Sequence, residues 1–164
     1  GAACSMAGDD PAEGHAVLER ALAIEPSNAW GWLRLAWSHY YCGRPREALD
    51  AADRAEALSP LDPFLFNLCF ARSAAWRKLG EVDRALEANA AGMRLNPGLP
   101  WGYRQLLGHY LSTGDAENAQ RTFSRMMDAH PGLTRRQFLA SLPRGIAANN
   151  AEYIALFDAV DLPE

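Results

Sequence analysis

The chain has 164 residues, suited to one domain or one compact repeat array, and its 49% hydrophobic content allows a continuous core. The formal net charge is −4, from 16 basic and 20 acidic residues, which argues against a nucleic-acid-binding domain with its usual basic excess. Three cysteines, Cys4, Cys42 and Cys69, make no disulfide framework, and no apolar run approaches the ~20 residues of a membrane helix. All basic residues but Lys78 are Arg, and Ala is abundant, the usage of a GC-rich bacterial genome. The start, GAACSMAGDDP, has neither a signal peptide nor an initiator Met, so the expectation is a piece of a longer cytoplasmic chain.

In chain order, Asp9 and Asp10 place negative charge ahead of a first helix expected over 12–25 (PAEGHAVLERALAIEP). Apolar residues at i, i+3, i+4 and i+7 predict further helices over 29–42, 45–58, 63–79, 82–95, 99–113 and 116–129. Thr134 is placed to cap a short helix over 135–141. LPRG ends it, and Asn149 and Asn150 introduce a last helix near 150–159.

These elements repeat. Gly43, Gly80 and Gly114 each follow an aromatic or apolar stretch, and Ala48, Ala85 and Ala119 stand five residues beyond them. Pro26, Pro60, Pro97 and Pro131 close the units at spacings of 34, 37 and 34, with PLDP (60–63) supplying a three-residue insertion. Gly makes the turn within each helix pair, small Ala lets paired helices approach, and Pro ends the second helix. One such unit cannot bury its own apolar face, so units must stack. The expected fold is all-α, a right-handed superhelix of stacked antiparallel helix pairs. Its expected parts are a partial unit (1–28, mainly a second helix), units at 29–62, 63–99 and 100–133, and capping helices over 134–164.

This pattern resembles the tetratricopeptide repeat family. Unit 29–62 matches through Trp32, Leu35, Ala36, Gly43, Ala48, Ala55 and Pro60, and departs where His39 and Ala52 replace aromatics. Unit 100–133 matches through Tyr103, Leu106, Tyr110, Gly114, Ala119, Phe123 and Pro131. The middle unit is weaker, with Cys69 and Arg72 at signature positions but Ser73, Trp76, Gly80, Ala85 and Pro97 in place. A narrower resemblance, carried by LSPLDPFLF and the ending LPE, is to the C-terminal repeat region of bacterial, rhizobial-type proteins. There the region follows a class III adenylate/guanylate cyclase domain or a winged-helix domain. That resemblance implies a regulatory or scaffolding signalling module, with neither activity in this chain.

No catalytic motif is present, and no enzyme activity or cofactor is expected. His39 and Cys42 share a helix face but are too few for a closed metal site. His15 and His130 read as helix-end or solvent-facing residues. Glu47, Asp50, Asp53, Arg54 and Glu56 read as a solvated face.

In the family, the first helix of each unit lines a concave groove. The resemblance places Trp30, Leu33, Arg34, Trp37 and Tyr41 there from the first unit. It adds Asn67, Phe70 and Arg77 from the second, and Trp101 and Arg104 from the third. Exposed aromatics beside Arg are the composition of an interaction hot spot. The family's clamp for C-terminal carboxylates needs Lys and Asn where this chain has Leu33, Phe70 and Arg104, and Trp37, Ala74 and Gly108, so that clamp is absent. The expected partner is a protein or peptide with apolar anchors and acidic character, or another domain of the parent chain, and neither nucleic acid nor membrane. Three alternatives stay open: packing of Trp30 and Trp37 against a missing helix or the chain's own C-terminal helices, a homodimer through the truncated end, and a small-molecule sensor coupled to an effector domain.

Overall fold

The computed structural model describes residues 11–134, 136 and 137. Its helices are α1 (Pro11–Ile24), α2 (Ala29–Tyr41), α3 (Pro45–Leu58), α4 (Leu65–Lys78), α5 (Val82–Leu95), α6 (Pro100–Ser112) and α7 (Ala116–Ala129), with no strand among the described residues. Each boundary lies within two residues of the one the periodicity predicts. The largest difference is at α4. The inserted PLDP forms a turn in which Asp62 Oδ1 accepts from the Phe64 amide at 2.7 Å, and this delays the helix to Leu65.

The pairs α2/α3, α4/α5 and α6/α7 are closed by one device used three times. Gly43, Gly80 and Gly114 have φ of 73°, 77° and 74°, the left-handed region where a Cβ is disfavoured. The amide after each glycine reaches five residues back into the helix. Arg44 N donates to His39 O at 2.9 Å, Glu81 N to Trp76 O at 3.0 Å, and Asp115 N to Tyr110 O at 2.8 Å. These are Schellman caps, which satisfy the last carbonyls of α2, α4 and α6 and turn the chain back on itself. At the opposite ends Asn28 Oδ1 accepts from Gly31 N at 2.8 Å and Asp115 Oδ1 from Asn118 N at 3.1 Å. Thr134 and Gln137 exchange reciprocal side-chain-to-amide bonds, the box expected at the start of a following helix. The rest of that helix, the one near 150–159 and the Asp9/Asp10 reading lie outside the described residues.

Ala48, Ala85 and Ala119, the small residues of the repeat, are all buried. Helices α2 and α4 touch directly, as do α4 and α6, while α3 packs between α2 and α4, and α5 between α4 and α6. The stack therefore has α2, α4 and α6 as its inner layer and α3, α5 and α7 outside. One continuous core runs from Leu18 and Leu22 of α1 through Trp37, Ala52 and Phe66 to Ala75. A smaller cluster around Leu107 and Met126 holds α6 to α7. Phe70, 1% exposed, fills a notch between Gly92 and Gly102, where an added Cβ would come within 2.7 Å and 3.3 Å of its ring.

Two expectations about polar residues are corrected. His15 faces the interior: it is buried, its Nδ1 lies 3.1 Å from Ser38 Oγ, and its ring meets His39 edge-on at 4.6 Å. His39 occupies the position where the family has an aromatic, so the ring it replaces would have packed in this same place. Asp53 and Glu56 are not merely solvated. Each holds Arg72 Nη2 at 2.6 Å and so ties α3 to α4.

Candidate interaction surface

The inner layer has a one-sided charge. None of α2, α4 and α6 contains an Asp or Glu, whereas each of α3, α5 and α7 contains several or at least two. The inner helices carry Arg34, Arg72, Arg77, Lys78 and Arg104. Arg72 points outward to its carboxylates on α3. Arg34, Arg77 and Lys78 each lie against an aromatic side chain.

The centre of this arrangement is Trp37. Its ring stacks on Tyr41 (5.7 Å between centroids, 24°) and meets Tyr40 edge-on at 5.9 Å. Its Nε1 donates to Asn67 Oδ1 at 2.7 Å, joining α2 to α4. Arg77 Nη2 donates to the Tyr40 hydroxyl at 3.2 Å, and Lys78 Nζ lies 5.4 Å from the Tyr40 ring centre. The Arg34 guanidinium lies 5.9 Å from the Trp30 ring, and Trp30 in turn meets Phe64 edge-on. A cation over an aromatic face keeps part of its electrostatic stabilisation away from water. Burial lowers the Arg34 pKa from its ordinary value, with the Tyr41 phenol acting in the opposite sense. Burial and then the charge of Arg77 lower that of His109.

The expected surface residues thus divide. Trp37, Tyr41, Asn67 and Arg77 come together around Tyr40, with Arg34 on the same helix. Trp30, 42% exposed, sits at the edge of this region. Leu33 and Phe70 are core residues, and Trp101 is a partly buried residue packed against that core. The open exposure expected for the aromatics and arginines is not found: Trp37 is 7% exposed, Arg34 5% and Arg104 8%. Helical spacing puts a residue on the inner face but does not say how deeply that face is covered. Tyr40 organises this group, meeting Trp37, Tyr41, Arg77 and Lys78. Its signal was its place one turn after Trp37 and beside Tyr41.

A second depression lies toward the outer layer, lined by Arg46, Leu49, Asp53, Trp76 and Arg84, with the Arg84 guanidinium 4.7 Å from the Trp76 ring centre. No group of three or more His, Cys, Asp or Glu able to hold a metal occurs among the described residues. No described helix is long and apolar enough to cross a membrane.

Residues 5–68 match the family model described as tetratricopeptide repeat. No curated protein matches the chain by sequence. The fold is similar to the crystal structure of MamA, with a TM-score of 0.59 at 17% identity over 88% of this chain and 87% of that one. It is also similar to MamA AMB-1, at 0.59 and 23% identity over 74% and 70%. A third similar structure is PilW, a type IV pilus biogenesis factor, at 0.53 and 20% identity over 97% and 90%. At these identities the likeness is one of fold. The chain is a helical solenoid of the tetratricopeptide-repeat type, with that repeat's sequence signature matched over its first two-fifths.

Proposed function

We propose that this chain is a non-catalytic protein-interaction module whose inner face, around Trp37, Tyr40, Arg34, Arg77 and Lys78, takes an acidic segment with apolar anchors. One observation carries this reading: three neighbouring helices of the inner layer contain several cations and no carboxylate. A wall of that charge attracts a ligand of opposite sign and disfavours basic ones. The aromatic rings supply rigid apolar area, and each guanidinium can take a carboxylate through two hydrogen bonds. Within a larger bacterial signalling protein, such a module regulates or scaffolds an attached effector domain, for which a nucleotide cyclase or a DNA-binding domain is the reading of the narrower sequence resemblance.

Selection of a random helical-peptide library on the full chain tests this. The expected winners carry Asp or Glu around aromatic or aliphatic anchors and bind Lys78→Glu about ten-fold more weakly. Winners with no charge preference, indifferent to Lys78→Glu, would contradict it.

The outer depression beside Trp76 and Arg84 is the feature that favours a small-molecule sensor instead. An anionic aromatic compound that protects Trp76 fluorescence from quenching and is released by Arg84→Ala would support that second reading.

A further inference from the structure

The depression toward the outer layer has a volume of about 520 Å³. That lies within the roughly 300–1,000 Å³ of sites that hold small molecules. Three elements line it. Arg46, Leu49, Asp50 and Asp53 stand at i, i+3, i+4 and i+7 along one face of α3. Trp76 comes from the last turn of α4, and Leu79 and Glu81 flank the left-handed Gly80. Arg84 comes from the first turn of α5. Leu49, Trp76 and Leu79 are half-buried, while Arg46, Asp50, Glu81 and Arg84 are exposed around them.

The four exposed charges are of both signs, and none is in an ion pair among the described residues. Arg46 and Asp50 are four residues apart and Glu81 and Arg84 three, spacings at which opposite charges can meet. Asp53, by contrast, is taken by Arg72 at 2.6 Å. Glu81 precedes α5 without capping it through its side chain. The Arg84 guanidinium lies over the Trp76 ring, 4.7 Å from its centre. That contact holds the group in place, and its N–H donors, which lie in its own plane, stay available to a carboxylate.

The repeat does not itself call for these charges. Aligned on the turn glycines, Arg46, Asp50 and Arg84 correspond one unit later to Asp83, Glu87 and Asn118. There the Asn118 amide donates to Asp115 Oδ1 at 3.1 Å. One unit earlier, Trp76, Glu81 and Arg84 correspond to His39, Arg44 and Glu47. Neither neighbouring junction has an Arg on both walls.

Two guanidinium groups, two carboxylates and an apolar floor disfavour phosphates and other polyanions, and disfavour a bare amine as well. They suit a ligand with one group of each sign and an apolar body. We propose that this depression binds a free α-amino acid with an apolar side chain. Arg46 and Arg84 meet its carboxylate, Asp50 and Glu81 its ammonium, and Leu49, Leu79 and Trp76 its side chain. This rests on the second reading given under Proposed function, and it narrows that ligand from any anionic aromatic compound to a zwitterion. The site draws on α3, α4 and α5, so an occupant joins two successive repeats.

The test is calorimetric titration of the full chain with the apolar L-amino acids from valine to tryptophan, each beside its N-acetyl acid and its carboxamide. The expected result is binding of at least one amino acid, with both of its derivatives at least about ten-fold weaker. Arg46→Gln with Arg84→Gln should weaken the amino acid about ten-fold and leave its carboxamide unchanged. Asp50→Asn with Glu81→Gln should weaken it similarly and leave its N-acetyl acid unchanged. All four residues are exposed, so both variants should keep a cooperative melt. The derivative series reads the same charges on the unaltered chain.

An N-acetyl acid that binds as tightly as its parent, and is released by the Arg substitutions, would overturn the zwitterion and leave the small-molecule reading intact. Amino-acid binding untouched by all four substitutions would put the ligand elsewhere on the chain and overturn the proposal. Failure of every amino acid and every N-acetyl aromatic acid to bind would overturn the small-molecule reading together with this one.

Discussion

Trp37 Nε1 donates to Asn67 Oδ1 at 2.7 Å, a buried hydrogen bond that ties the inner helix of one repeat to the inner helix of the next. Both partners are large or polar groups removed from water, so removing one strands the other. Trp37→Phe keeps most of the ring but leaves Asn67 Oδ1 without this donor, at an expected cost of about 1–3 kcal/mol. Asn67→Ala should cost a similar amount, and the double variant should fall short of the sum by about 0.5–1.5 kcal/mol. Urea melts of the four proteins decide it, and simple additivity would mean the bond contributes nothing.

The turn glycines separate backbone strain from crowding. A Cβ placed on Gly43, Gly80 or Gly114 meets nothing within 4 Å, so alanine there is opposed only by the left-handed backbone. Each Gly→Ala substitution should cost about 1 kcal/mol, and Gly→Asn less, because Asn tolerates that region better. A loss much above about 2 kcal/mol for Gly43→Ala in thermal or urea melts would contradict the cap described.

Gly92 is the opposite case, lacking positive φ and crowded by the Phe70 ring. Gly92→Ala forces that ring to move and should cost about 1–3 kcal/mol. In a Phe70→Leu background the same substitution should cost clearly less. Gly43→Ala, remote from Phe70, should cost the same in either background.

Acid should weaken the fold through His39. Its burial, then the neighbouring His15 and Arg44, hold its pKa down at about 4, while Glu47 and Glu19 oppose them more weakly. In the unfolded chain the imidazole takes its proton near pH 6.5, as about 6.5 is its ordinary value. Between these values the unfolded state binds the proton and the folded state does not. Stability therefore falls as pH drops from about 6.5 to about 4 and this contribution is spent below that. His39→Phe, which restores the aromatic of the repeat pattern, should flatten the melting temperature over that window relative to wild type. A wild-type minus variant difference that does not change with pH would exclude His39 as the sensor.

Much of this architecture could be read from the residues. Glycine at a helix end, alanine five residues later and proline at the close are local signals with local causes, and they placed seven helices to within two residues. Depth of burial was harder to read. Trp37, Leu33 and Phe70 share the inner-face positions of their helices, and all three are absorbed into the core. A period of 3.6 reports a direction around the helix axis, and two layers of neighbours can lie in that direction. His15 was misplaced for a related reason: its partners Ser38 and His39 are on the next helix and are distant in sequence. The paired role of Asp53 and Glu56 depends in the same way on Arg72 arriving from α4.

The central claim is that the inner face selects acidic segments by charge and aromatic contact. Its most direct test is the dissociation constant of a library-selected acidic peptide for the full chain, compared with that for Lys78→Glu and with that of the peptide's Asn/Gln counterpart. Lys78 is exposed, so its substitution should cost no more than its contact with the Tyr40 ring, about 0.5–1 kcal/mol, and leave the fold intact. The expected result is a weakening of about ten-fold for each change, and a further loss as salt is raised. Equal affinity for the acidic peptide and its amide counterpart would contradict the account, because the ligand would then be held without the charges that define this face.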